Sequence, residues 1–449
     1  MIEKILSALE KSGVKQYQVT ETTKESAELF FIKKNLDMQR MAEVRQAEVV
    51  VYQEFWEGEK HCLGSSSVMV QESFTEEEME KLFQEALYAA GFVKNEYYEL
   101  YAGEAVCSEN KAEASLAGTS EGFLTELARR FSAALFAEDT REDVFLNSAE
   151  VFAYQEESHI LNSRKVDVRY QRSWVWGEFV AQCTTGQDVE TYQHFKYENL
   201  QEGNLPTEAL QKKVREALEM TRARAEAVTA PPAGEYRVIL PGIFLKDILT
   251  YYIDRSGSSM IYPKYSGFEI GCDVQGGEVE QDKINLTLKA TVPYSAEGIP
   301  MKNRELVKDG KLQLIHGNNR FAYYLGIQPT GRYTSFQMPG GSVALEEMKQ
   351  QPYLEVVNFS DFQMDAFTGH FGGEIRLAFL YDGEKKIPVT GGSINGQILE
   401  VQKKMVFSRE TQIEDDFEGP MAVCLYNREV RRTFLLFFYF YEKLFIYPD

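Results

Sequence analysis

Residues Ala290–Ser335 read ATVPYSAEGIPMKNRELVKDGKLQLIHGNNRFAYYLGIQPTGRYTS. The segment carries two side chains suited to chemistry, Glu297 and His316, and glycine-containing loops at Gly298 and Thr330-Gly331. Similar loops recur downstream at Gly340-Gly341, Gly369-x-x-Gly372-Gly373 and Gly391-Gly392. Glycine takes tight-turn conformations and lets another backbone approach closely. The loops therefore read either as turns of a β-rich domain or as places where an extended peptide lies against a sheet edge. What the chain lacks matters equally. No histidine pair stands at HExxH or HExxxH spacing, and no histidine occurs between His194 and His316.

Upstream, Thr229-Ala230-Pro231-Pro232-Ala233-Gly234 is the clearest boundary signal. Beyond it EYRVILPGIFLKDILTYY, residues 235–252, reads as strand, turn and helix. The N-terminus opens with an amphipathic helix bearing Ile2, Ile5, Leu6 and Leu9 on one face. A strand meander follows over Ala27–Val70. The next helix opens with a capping box, Thr75 and Glu78, presents Met79, Leu82, Phe83 and Leu87, and ends at Gly91. A linker-like stretch over 101–120 leads to a helix through Phe131 and Leu135. Strands then dominate residues 143–182, with alternation in KVDVRYQRSWVWGEFVAQ, and a helix follows Pro206. The expected fold is α+β and multi-sheet, an N-terminal α/β-layer region followed by a β-rich C-terminal domain. The expected divisions are 1–110, 111–230 and 231–449.

The opening segment, the strand-turn-helix at 235–252, FTGHFGGEIRLAF (Phe367–Phe379) and EKKIPVTGGSINGQILE (Glu384–Glu400) together resemble the C-terminal domain of the TldD/PmbA family. These proteins, once called modulators of DNA gyrase, are regarded as peptide-processing metalloproteases. The resemblance covers about 230–405 strongly and the N-terminal half diffusely. HILNSRKVDVRY is similar to a family hairpin, keeping Asn162 and Ser163 but placing Lys165 where glycine is usual. TldD-type members carry a zinc-binding HExxxH helix, and the PmbA (TldE) type lacks it. Here the resemblance sets Lys246 and Asp247 at the His-Glu positions and Tyr251 at the second His. A lysine there opposes a dication instead of coordinating it. The resemblance thus implies a non-catalytic PmbA/TldE-like subunit, without metal or other cofactor. It would pair with a TldD-type zinc peptidase subunit, as homo- or heterodimer, to process unfolded peptides. Glu297, Gly298, Thr330, Gly331, Gly369, His370, Gly391 and Gly392 are the candidate peptide-binding loop residues. Two alternatives remain: a stand-alone peptide-binding scaffold homodimer, and a peptidase with an unrecognised site near Glu297, His316 and His370, with Asp365 beside them.

Acidic residues outnumber basic ones 69 to 48, a formal charge of −21. Such a polyanion repels phosphate backbones, so direct nucleic-acid binding finds no electrostatic support. Five scattered cysteines, never at CxxC spacing, fit a reducing, cytoplasmic setting. GxGxxG, GxxxxGK[ST] and GxSxG are absent, which removes the Rossmann, P-loop and nucleophile-elbow readings. The SxxK match at Ser12–Lys15 lies where the first helix ends, and nothing near Cys424 suggests an activated thiol. The aromatic run at 433–447 departs from the family. Its apolar core, TFLLFFYFY, is half the length of a membrane span and reads as a buried strand. No membrane association is expected.

Overall fold

The computed structural model describes residues 1–103, 122–198, 200, 205–227, 229–414 and 416–431. The aromatic run 433–447 and most of the linker-like stretch lie outside the described residues. The N-terminal half is one curled six-stranded sheet in the order β3-β2-β1-β4-β5-β6. Its strands are β1 (Gln16–Ile32), β2 (Asn35–Glu57), β3 (Lys60–Gln71), β4 (Val144–Asn162), β5 (Asp167–Cys183) and β6 (Val189–Glu198). The central pairing joins β1 to β4, Gln18↔Asn162 through Ile32↔Ser148. The strands on the two sides of the 110/111 division therefore belong to one sheet.

Successive strand residues point to opposite faces. Val19, Ala27 and Leu29 of β1 and Val175, Phe179 and Ala181 of β5, all at odd-numbered positions, are buried. Four helices cover this face: α1 (Ile2–Lys11), α2 (Glu76–Ala90), α3 (Phe123–Ala137) and α4 (Thr207–Glu226). Helices α1 and α2 pack over one stretch of the sheet with Ile5, Leu9, Met79 and Phe83; α3 and α4 pack over another with Leu127, Phe131, Leu210 and Val214. The Thr75–Glu78 capping box is formed, with the Glu78 amide donating to Thr75 Oγ1 at 3.3 Å and the Thr75 amide to Glu78 Oε2 at 2.8 Å. Pro206 sits just before α4, as its N-cap.

The C-terminal half begins with β7 (Gly234–Pro241), which runs straight into α5 (Gly242–Arg255), the strand-turn-helix read from sequence. Short α6 (Ser258–Ile261) and α7 (Asn319–Leu325) follow along the chain. A six-stranded sheet has the order β10-β9-β8-β11-β18-β17. It consists of β8 (Leu286–Lys289), β9 (Arg304–Lys308), β10 (Lys311–Leu312), β11 (Ser335–Gln337), β17 (Thr411–Glu414) and β18 (Phe417–Pro420). The other sheet has the order β12-β7-β19-β15-β13-β14, with β16 paired to β19. Its further strands are β12 (Tyr353–Met364), β13 (His370–Tyr381), β14 (Lys386–Val389), β15 (Ser393–Gln397), β16 (Val406–Phe407) and β19 (Ala422–Arg431). Helix α5 lies in the shared core, with Leu245, Ile248, Leu249 and Tyr252 packed among Val238, Leu286, Leu354 and Phe417. The whole is α+β with three sheets, β-rich towards the C-terminus. Among the described residues no helix is long and apolar enough to cross a membrane.

Candidate functional site

Helix α5 carries the positions where the family resemblance would put a metal site. Its first residue is fixed by the Gly242 amide donating to Met421 O at 2.8 Å. One turn on, Lys246 Nζ forms an ion pair with Asp416 Oδ1, both side chains under a third exposed. Burial pushes the neighbouring Asp247 carboxyl up to about 6, with Lys246 pulling it down and Asp416 pushing it further up. Tyr251 is buried, edge-on to Tyr252 at 5.2 Å and beneath the Arg255 guanidinium at 5.3 Å. Zinc needs neutral imidazoles, thiolates or carboxylates converging on one point. Here an ammonium group takes the first ligand position and a buried phenol the second. Among the described residues no cluster of three histidine, cysteine or acidic side chains could hold a metal. The residues on α5 do not fit a zinc centre.

A second constellation forms where three loops meet. Glu297 Oε2 accepts the Asn319 amide hydrogen at 2.9 Å. Burial raises its pKa, against the opposing effects of that hydrogen bond and of Arg320. Ser295 Oγ accepts from the amides of Glu297 and Ile299 at 3.2 and 3.3 Å, holding the 295–299 turn. Gly317 pairs with Gly331 in an isolated bridge, and Thr330 Oγ1 accepts the Gly317 amide hydrogen at 3.0 Å. Gly331 has φ of 78°, and a Cβ there would meet Met301 Sδ and, at 2.8 Å, Ser295 Cβ. Only glycine fits. Gly298, at φ of 75°, backs onto Val166 of the β4–β5 hairpin. In that hairpin Asn162 Oδ1 accepts from the amides of Arg164 and Val166 at 2.8 and 3.1 Å. Lys165 takes φ of 67°, the left-handed region that glycine occupies most easily.

The remaining sequence candidates divide. His316 joins this loop cluster, but its Nε2–H is committed to Ile253 O at 2.8 Å and its ring is buried. Burial lowers its pKa, with a small contribution from Arg332 and an opposing one from the hydrogen bond to Ile253 O. His370 is exposed, the first residue of β13, paired with Gln397 and preceded by Gly369 at φ of 77°. Gly391 and Gly392 make the β14–β15 turn, beside Thr229, whose carbonyl accepts from the Thr390 amide at 2.9 Å. Glu297, Gly298, His316, Thr330 and Gly331 are thus one group, and Gly369-His370 and Gly391-Gly392 sit in two other turns.

The loop cluster lies against the N-terminal sheet. Gln18 Nε2 donates to Ala296 O at 2.8 Å and Asn319 Nδ2 to Glu99 O at 2.7 Å. The hydroxyls of Tyr262 and Tyr324 donate to the side chain and the carbonyl of Glu96. Between the halves runs a cleft of about 310 Å³. One wall is the sheet face opposite the helices, with Thr20, Ser158 and Arg172; the other is residues 289–301 and 332–334. On the sheet wall, even-numbered partners stand side by side: Thr22↔Ser158, Ser158↔Tyr170 and Glu156↔Arg172. Arg172, Lys289 and Arg332 were not singled out from the sequence. Arg332 stands next to Gly331, but the other two have no local signal, because the cleft is assembled from residues more than 300 positions apart.

Residues 233–426 match the model of the PmbA/TldA metallopeptidase C-terminal domain. Three solved structures share the fold, each covering 96% of this chain and 99% of its own length. They are a putative modulator of a DNA gyrase from Thermotoga maritima MSB8 (TM-score 0.72, 16% identity), a putative modulator of DNA gyrase from Bacteroides thetaiotaomicron VPI-5482 (0.76, 13%) and TldE from Thermococcus kodakarensis (0.70, 15%). No curated protein matches.

Proposed function

Because this chain belongs to the PmbA/TldD family through its C-terminal domain, we propose that it is a non-catalytic, TldE-like subunit that works with a TldD-type zinc peptidase on unfolded peptides in the cytoplasm. One observation carries the reading: the helix that would hold zinc presents Lys246, ion-paired to Asp416, where an imidazole would be needed. The likeness to a solved TldE supports the same direction. In this reading the partner supplies metal and bond cleavage, and this chain supplies a wall that holds substrate. The loops at Glu297-Gly298 and Thr330-Gly331, whose chain neighbours Ser295, Ala296 and Arg332 line the cleft, are the elements proposed to contact it. Gly369-His370 and Gly391-Gly392 are further candidates, in separate turns.

The alternative of a hidden peptidase at Glu297, His316 and His370 gains no specific support. One histidine is buried and bonded to a backbone carbonyl, and the other is exposed on a different strand.

The decisive experiment is affinity purification from native lysate, followed by metal analysis and a peptide-cleavage assay. The reading expects a co-purifying protein that bears HExxxH on the same scaffold. It expects no stoichiometric zinc on this chain, and cleavage only when both proteins are present. Chelator-sensitive cleavage by the homogeneous chain, lost on His316→Ala or His370→Ala, would overturn it. A monomer at micromolar concentration with no such partner would favour the stand-alone scaffold.

A further inference from the structure

The charge of the cleft runs against that of the chain. The protein carries a formal −21, yet the charged side chains lining the cleft are three cations, Arg172, Lys289 and Arg332, and one anion, Glu156. Two of the cations are matched: Arg172 by Glu156 at 2.8 Å and Lys289 by Glu418 at 3.1 Å. Arg332 is exposed and makes no hydrogen bond or ion pair with any described residue. Asp254 and His316 feel its charge, but neither is its hydrogen-bonding partner. The backbone that presents Arg332 is fixed on both sides. Before it, Thr330 and Gly331 are locked against Gly317 and Met301. After it, the Tyr333 hydroxyl donates to Lys302 O at 2.7 Å and accepts from Arg304 Nε at 3.0 Å. The walls of the same cleft offer short hydroxyls, among them Thr20, Thr291 and Thr334. Such groups donate to an anion without adding charge of their own.

An unmatched planar fork on a rigid backbone, in a cleft lined with hydroxyls, suits a carboxylate, which it binds through two parallel N–H···O bonds. We propose that the cleft is a carboxylate subsite, in which Arg332 receives a carboxylate of an extended peptide, either its C-terminus or an acidic side chain. The inference rests on the peptide-binding reading above and narrows it.

The test uses the full-length chain and a fluorescently labelled unfolded ten-residue peptide in four versions. The C-terminus is free or amidated, and a single glutamate is present or replaced by glutamine. Fluorescence anisotropy gives Kd for the wild type, Arg332→Gln and Arg332→Lys; near-UV circular dichroism checks that each variant is folded. The wild type should lose about tenfold or more in affinity when the recognised carboxylate is neutralised. Loss on amidation assigns the C-terminus, loss on Glu→Gln the side chain. Arg332→Gln should bind all four versions alike, at the level of wild type with the neutral peptide. Arg332→Lys should keep part of the discrimination, as a charge without a fork. Equal binding of all versions by the wild type, or discrimination retained by Arg332→Gln, overturns the subsite and leaves the peptide reading standing. If no version binds the wild type, both fall.

Discussion

Helix α5 and the inter-domain cleft hold the two concentrations of charge with a bearing on function, and they are built in opposite ways. On α5 the polar groups are turned inward and spent on each other: Lys246 on Asp416, Asp247 half-desolvated beside them, Tyr251 under Arg255. In the cleft the scaffold is spent on itself and one group is left over. Thr330, Gly331 and Tyr333 are all fixed, and Arg332 between them has no described partner. The contrast is between polar groups that satisfy one another inside the core and a cleft whose scaffold is satisfied while one cation facing it is not.

Breaking the cleft should have the largest effect. Gly331→Val forces a branched side chain into a left-handed backbone and into Met301 and Ser295. Urea denaturation should show a loss of about 3–5 kcal/mol, the sum of a backbone penalty and overpacking. A variant as stable as wild type would mean that this loop is not preformed.

On α5, Asp247→Asn should do the reverse. The folded carboxyl titrates near 6 against an ordinary 3.8. Below about pH 4 both folded and unfolded chains are protonated there, and the group contributes nothing. Between about 4 and 6 the unfolded chain releases its proton first, so stability falls as pH rises; above 6 the full penalty remains. Asn should therefore stabilise by about 2 kcal/mol at pH 7.5, allowing for partial solvation, and by no more than about 0.5 kcal/mol at pH 4. Urea midpoints at pH 4, 5.5 and 7.5 check this. Destabilisation at pH 7.5 would show instead that the carboxylate is a net favourable partner of Lys246.

Thr330→Val removes the acceptor of the Gly317 amide inside a buried bridge and should cost about 1–2 kcal/mol. It should weaken peptide binding along with stability, measured on the same protein by anisotropy and by denaturation. The smallest expected change is a gain. Lys165→Gly relieves the left-handed backbone at φ of 67° but loosens the unfolded chain, for a net of about 0.5–1 kcal/mol in thermal or chemical denaturation.

The elements with local signals were legible in the sequence. The Thr75–Glu78 capping box, the α1 face with Ile5 and Leu9, the alternation of β5 and the strand-turn-helix at 235–252 all stand in the structure as read. What local patterns could not carry was long-range pairing. Nothing near β1 announces that its partner is β4, whose first residue comes more than a hundred positions later. The loop glycines were legible as special positions, but not their grouping, which puts Gly298 with Gly331 and leaves Gly369 and Gly391 elsewhere. Lys246 was legible as a misfit for zinc. Its compensation was not, because Asp416 lies 170 residues away. Arg332 drew no notice because a lone arginine beside glycine is common; only the geometry shows that it is unmatched.

The tyrosine-rich segment at 96–101 ties the two halves by giving its backbone and Glu96 to Tyr262, Asn319 and Tyr324. On the ribosome that segment emerges more than two hundred residues before its last partner. At ordinary synthesis rates it waits roughly ten to forty seconds. For the first part of that interval β4 to β6 are still being made, and Tyr97 and Tyr98 have only residues such as His61 and Leu63 of β3 to pack on. The nascent chain thus has a window in which a chaperone, or another copy's α7, can reach the segment first.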